Sequence, residues 1–305
     1  MKRRSLLLSS AVAAFAQAVP AARMKLNLSC GAIGIKATQR GAMDYASRYG
    51  FDSVEADGRY LSSINEAERR ELLEYMKAKH LDWSLAGMPV EFRKDDAAFN
   101  ESLKQLPAYS AGLRQAGVKR VTTWLTPTSA ERTYLVNYRL HAKRLREMGR
   151  ILEDNNLRFG VEYVGPKTSW GSQRFPFVHT MAEMRELFEE IKQPNIGLVL
   201  DSWHWWNAGE SAEDILQLRP ADIVSVDLND APVGIPKEQQ MDGTRELPAA
   251  TGVIDCKAFL NALAKIGFDG PVRAEPFNAA VRAMPPDGAV EASVTALKKA
   301  FAQIG

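Results

Sequence analysis

The chain is poor in cysteine and histidine, with two and four respectively in 305 residues. Neither Cys30 nor Cys256 has the paired spacing of a metal finger, so a single long-range bridge or two isolated thiols are the readings left open. Positive charge is not in excess either. The formal net charge is +2, and no dense basic stripe is present, which excludes nucleic acid as the natural partner. A dinucleotide fingerprint is absent: the turn after the first strand-like run reads CGAIGIK, and the spacing of Gly31 and Gly34 does not match GxGxxG. Beyond the N-terminus there is no apolar run of membrane-spanning length and no linker that would separate two domains. What remains is 46% hydrophobic and 25% charged, an ordinary globular composition.

The first 22 residues differ in character. MKRRSLLLSSAVAAFAQAVPAA has a basic start, an apolar run too short to cross a bilayer, and small-residue exits at Ala14-Phe15-Ala16 and Ala21-Ala22. It reads as a cleavable signal peptide over residues 1–22, followed by one domain over residues 23–305. The Arg3-Arg4 pair suits twin-arginine export, with the general secretory route close behind and an uncleaved anchor as the third reading. Export places the mature protein in the periplasm or outside the cell, with no stable membrane span after processing.

The rest alternates strand-like and helix-like segments. Strands are expected at Lys25–Ser29, Ser53–Ala56, Trp83–Ala86, Arg120–Leu125, Arg158–Tyr163, Ile196–Asp201, Ile223–Leu228 and Pro271–Glu275. Helical periodicity marks Ala42–Tyr49, Glu66–Lys79, Phe99–Ala116, Glu131–Leu152, Met181–Ile191, Ala212–Leu216, Lys257–Lys265 and Asp287–Ile304, with Asp287 as N-cap of the last. Eight strands each followed by a helix form a closed (β/α)8 TIM barrel of the α/β class. Long segments after the fifth and seventh strands, Val164–Thr180 and Asn229–Asp255, are where such a barrel builds its substrate site.

Four carboxylates end apolar runs: Glu162 in RFGVEYVG, Asp201 in IGLVLDSWH, Asp227 in IVSVDLND and Glu275 in PVRAEPF. Burying an acid beside Val, Leu and Ile is costly without a cation or a hydrogen-bond partner. The C-terminal ends of neighbouring barrel strands converge, so four oxygen donors there describe a divalent metal site. Oxygen-only ligation suits Mn²⁺ or Mg²⁺, with Zn²⁺ or Co²⁺ as alternatives. Such a cation polarises a carbonyl and its neighbouring hydroxyl, and two glutamates beside the acidified carbon remove and return a proton. Period-two alternation places Arg273 inside with Glu275, where it needs an acid, and Glu55 is the candidate.

The order of Glu162, Asp201-x-x-His204, the acid-bearing strand VDLND and Glu275-Pro276-Phe277 resembles the xylose isomerase-like TIM barrel superfamily of sugar phosphate isomerases and epimerases, over essentially the whole mature chain. The resemblance implies that Glu162 and Glu275 are both metal ligands and the catalytic proton-transfer pair, that Asp201 is a ligand, and that His204 contacts substrate oxygens. Asp242-Gly243-Thr244-Arg245-Glu246-Leu247-Pro248 is similar to the family's loop after strand seven, which makes Arg245 a substrate ligand. Asp227 departs from the pattern, because the family usually places a metal-binding histidine there. Trp124 is a candidate for stacking on a sugar face, as is Trp170, and Lys167 for meeting a hydroxylated or anionic substrate.

The leading expectation is a metal-dependent carbohydrate isomerase or epimerase, acting on a small molecule and compatible with a homo-oligomer. A lyase using the same acidified carbon is the alternative, and a carbohydrate-binding barrel without turnover is a third. The superfamily's DNA-repair endonucleases need a histidine-rich zinc cluster that four histidines do not supply.

Overall fold

The computed structural model describes residues 24–305; the proposed signal peptide lies outside the described residues. Eight parallel strands close into a barrel: β1 (Lys25–Leu28), β2 (Ser53–Ala56), β3 (Asp82–Gly87), β4 (Arg120–Trp124), β5 (Arg158–Glu162), β6 (Ile196–Asp201), β7 (Ile223–Leu228) and β8 (Pro271–Ala274). Each pairs with its sequence neighbours, and β1 pairs with β8 to complete the ring. β7 is buried at every position and β6 at all but its first, as befits strands sandwiched between a filled barrel and a helical shell.

The helices wrap this barrel with one apolar face each. Tyr134–Glu153 buries His141, Leu145, Met148 and Leu152 in the 3.6-residue rhythm visible in its sequence. The expected helix over 99–116 is instead two, Asp96–Leu103 and Leu106–Gln115, with Pro107 in the first turn of the second, where its missing N–H costs nothing. The last helix, Pro286–Phe301, is capped by Pro285 rather than Asp287. Asp287 falls in its first turn and pairs with Arg48 at 2.7 Å.

Short elements at the barrel mouth carry little periodicity and were not anticipated. They include a helix Ser202–Asn207 directly after β6, and a two-stranded ribbon joining Thr128–Ser129 to Phe175–Pro176. Both cysteines are free. Among the described residues no helix is long and apolar enough to cross a membrane.

Candidate active site

Parallel register builds the site. β6 and β7 pair Asp201 with Asp227, and β7 and β8 pair Asp227 with Arg273, so these three side chains sit at one level. On the other side Trp124 of β4 pairs with Glu162 of β5. Glu275 follows β8, one layer nearer the mouth. Glu162, Asp201, Asp227 and Glu275 each offer an oxygen, and the four oxygens lie within 4.8 Å of one another.

Two guanidinium groups enter this acid cluster. Arg273 holds both oxygens of Asp227, at 2.7 and 2.8 Å, and Glu275 Oε1 at 2.9 Å. Glu55, the partner expected for it, is a more distant member at 3.6 Å. Arg245 donates to Asp201 Oδ2 at 2.7 Å, to Glu275 Oε2 at 3.2 Å and to Asp242 Oδ1 at 2.7 Å. Burial opposes the charge on each arginine, but the surrounding carboxylates outweigh it and raise both pKa values.

The acids remain under-compensated. Burial pushes the Glu162 carboxyl well above the usual carboxylate range, and the charges of Asp201, Glu275 and Asp227 add to it. Burial likewise pushes Asp201 up to about 7, against the pull of Arg245. Glu275 is raised by burial and opposed by Arg273. Glu162 Oε1 is buried with no hydrogen-bond partner, an acceptor aimed at the centre of an acidic cluster. An orphaned carboxylate oxygen among other oxygens is what a hard divalent cation satisfies, so the cluster of Glu162, Asp201, Asp227 and Glu275 fits such an ion.

Asp201 has a second task. Its Oδ1 accepts from Trp203 N–H at 2.7 Å and so caps the helix that carries His204. That helix is pressed against the segment after β5: Gly165 N–H reaches His204 Nδ1 at 3.3 Å, and a Cβ on Gly165 would lie 2.3 Å from the His204 carbonyl oxygen. Burial, followed by the Arg245 charge, lowers the His204 pKa to about 3, so the ring is neutral. Its Nε2 lies 3.2 Å from Arg245 Nη2, within hydrogen-bond reach of that donor.

Three residues of the site were not singled out in the sequence. Asn229 donates to Asp201 Oδ1 at 3.1 Å and accepts from the Glu275 N–H at 2.8 Å, tying two of the acids together. It shares the inward parity of Asp227 two residues earlier, which is the signal that could have found it. Asp242 steadies Arg245. Asp230 accepts four backbone N–H groups, from Ala231, Thr251, Gly252 and Ile254, and knots the long loop that presents Arg245.

The cluster opens into a cavity of about 770 Å³ lined by Trp124, Glu162, His204, Asp242, Arg245, Arg273 and Glu275 among others. Trp124 is 46% exposed, with the Arg93 guanidinium 4.3 Å from its ring centre. Lys167 is exposed and does not line the cavity, whereas its neighbours Thr168 and Ser169 do. Trp170 is also outside the lining; its ring packs 4.7 Å from that of His179.

Residues 43–300 match the model of the xylose isomerase-like TIM barrel family. The chain is 25% identical to the inosose isomerase of Bacillus velezensis over 244 residues, covering 77% of this chain and 82% of that protein. A xylose isomerase domain protein from Alicyclobacillus acidocaldarius superposes with a TM-score of 0.80 at 28% identity, over 92% of this chain and 99% of that one. The IOLI protein, solved with a bound zinc atom, superposes with a TM-score of 0.77 at 22% identity over the same shares.

Proposed function

We propose that this chain, which belongs to the xylose isomerase-like TIM barrel family, is a carbohydrate isomerase or epimerase that moves a proton at a carbon next to a carbonyl. The observation that carries the proposal is the convergence of Glu162 and Glu275 on one cavity floor, with Glu162 Oε1 buried and unpartnered. The similarity to an inosose isomerase supports a polyol-derived ketone or free keto-sugar as the substrate class.

In this reading Glu162 takes the proton from carbon and Glu275 serves the opposite side. Burial raises each carboxyl above the usual carboxylate range, the direction that strengthens it as a base. His204 and Arg245 both line the cavity, and the Arg245 guanidinium is a donor that a substrate carbonyl or hydroxyl oxygen can accept from. Trp124 offers an apolar face for the C–H side of a ring, and the neighbouring wall of Thr122, Thr126 and Ser169 supplies hydroxyls. A divalent cation, Mn²⁺ or Mg²⁺ by the oxygen-rich donor set, would be held within the cluster of Glu162, Asp201, Asp227 and Glu275 and supply Lewis-acid polarisation. We further propose that residues 1–22 are removed on export; N-terminal sequencing of protein recovered from the cell envelope checks this.

The test is solvent deuterium incorporation, followed by proton NMR over a panel of inososes and keto-sugars. Exchange at one carbon is expected, falling by about 10²–10⁴-fold in Glu162→Gln and in Glu275→Gln. No exchange with any member of the panel refutes the reading, and loss of water without exchange reassigns the site to a lyase.

A further inference from the structure

The Asp227–Arg273 pair is the feature that the proposed reaction leaves unused. Asp227 is fully buried, and both of its oxygens accept from one guanidinium in the fork geometry of a bidentate pair. One guanidinium takes both oxygens of Asp227, whereas the oxygens of Asp201 and Glu275, though also partnered, are held by separate donors, and Glu162 Oε1 has none. Arg273 Nη2 also bridges Asp227 Oδ2 to Glu275 Oε1, so a positive charge already stands between these two acids. The register explains the pairing: Asp227 and Arg273 are direct cross-strand partners on β7 and β8, held in place by the barrel itself.

We infer that Arg273 withholds Asp227 from the metal, so that the site binds its divalent cation through Glu162, Asp201 and Glu275 alone. The inference rests on the metal part of the proposed function and concerns which of this chain's acids take part. Paired with Arg273, Asp227 contributes no net charge toward a cation. The guanidinium instead repels one, and the withheld acid weakens affinity on both counts. Arg273 is in this sense a positioning residue, setting how many carboxylates the cation meets.

The test is Mn²⁺ affinity, measured by isothermal titration on the purified protein and by electron paramagnetic resonance of the bound ion. Arg273→Gln removes the positive charge and frees Asp227, and should tighten Mn²⁺ binding on the order of tenfold or more. The double variant Asp227→Asn with Arg273→Gln removes both charges together, leaves no lone buried ion, and should return affinity close to the wild-type value. Thermal unfolding confirms that each variant is folded. A double variant that loses Mn²⁺ relative to wild type overturns the inference, because Asp227 would then be a ligand. An Arg273→Gln protein that binds no tighter overturns it as well. Wild-type protein without measurable Mn²⁺ binding, alongside an Arg273→Gln variant that binds, upholds the inference while removing the metal from the proposed function of the native chain.

Discussion

Asp230→Ala should loosen the substrate loop without touching the acid cluster. Asp230 is fully buried, and its carboxylate accepts from Ala231 and Ile254 at Oδ1 and from Thr251 and Gly252 at Oδ2, all within 2.7–2.9 Å. Its backbone forms a two-way antiparallel bridge with Glu246, the neighbour of Arg245. Truncation orphans four donors. Gly252 is exposed and Thr251 half-buried, so water can rescue those two, but the N–H groups of Ala231 and Ile254 lie among buried residues. Two unrescued donors at about 1–2 kcal/mol each give a loss of about 2–4 kcal/mol. Asp230→Asn should be little better, because either orientation of its amide points NH₂ at one pair of N–H donors. Urea denaturation gives the stability change, and amide exchange at Thr251, Gly252 and Ile254 localises it. The reasoning also requires a fall in kcat/KM with the inosose or keto-sugar that the wild type turns over, since Arg245 hangs from the same loop. A variant within about 1 kcal/mol of wild type, with unchanged exchange at those amides, refutes it.

Three further outcomes are expected. His141 is buried between Phe92 and Phe177, and burial lowers its pKa from 6.5 to about 4. The stability that its neutral form contributes is complete above pH 6.5 and lost as pH falls toward 4, about 3 kcal/mol in all; urea midpoints across that window should flatten in His141→Gln. Gly165→Ala drives a Cβ against the His204 carbonyl, and should cost about 1–3 kcal/mol in denaturant melts and raise KM by displacing His204. Trp124→Ala should raise KM by about fivefold through lost ring contact, while Lys167→Ala leaves it unchanged; equal effects in steady-state kinetics would remove the stacking assignment.

The strands were readable because a barrel strand carries its signal locally. β2, β6 and β7 occupy their expected ranges, β1, β4, β5 and β8 end one residue earlier, and β3 is one residue longer at each end. The long helix over Tyr134–Glu153 was legible from its apolar rhythm, and its start moves by three residues because Thr133 provides the extended cap. The split of the 99–116 segment was written in Pro107, which periodicity alone overrides. The ribbon and the helix after β6 had no such signal, since elements this short are stabilised by contacts with distant segments rather than by their own pattern. The four acids converge as strand-end parity implied.

Sequence by itself determined the eightfold alternation, the acids at four strand ends and the Asp201-x-x-His204 spacing, because each depends only on period and neighbouring residues. Tertiary structure alone decided how those acids divide their work. Cross-strand register put Arg273 beside Asp227 rather than Glu55, loop closure through Asp230 brought Arg245 onto Asp201 and Glu275, and Asn229 bound two strands together. Charge pairing at 3 Å is a matter of which chains lie side by side, and a linear sequence of 305 residues does not carry that adjacency.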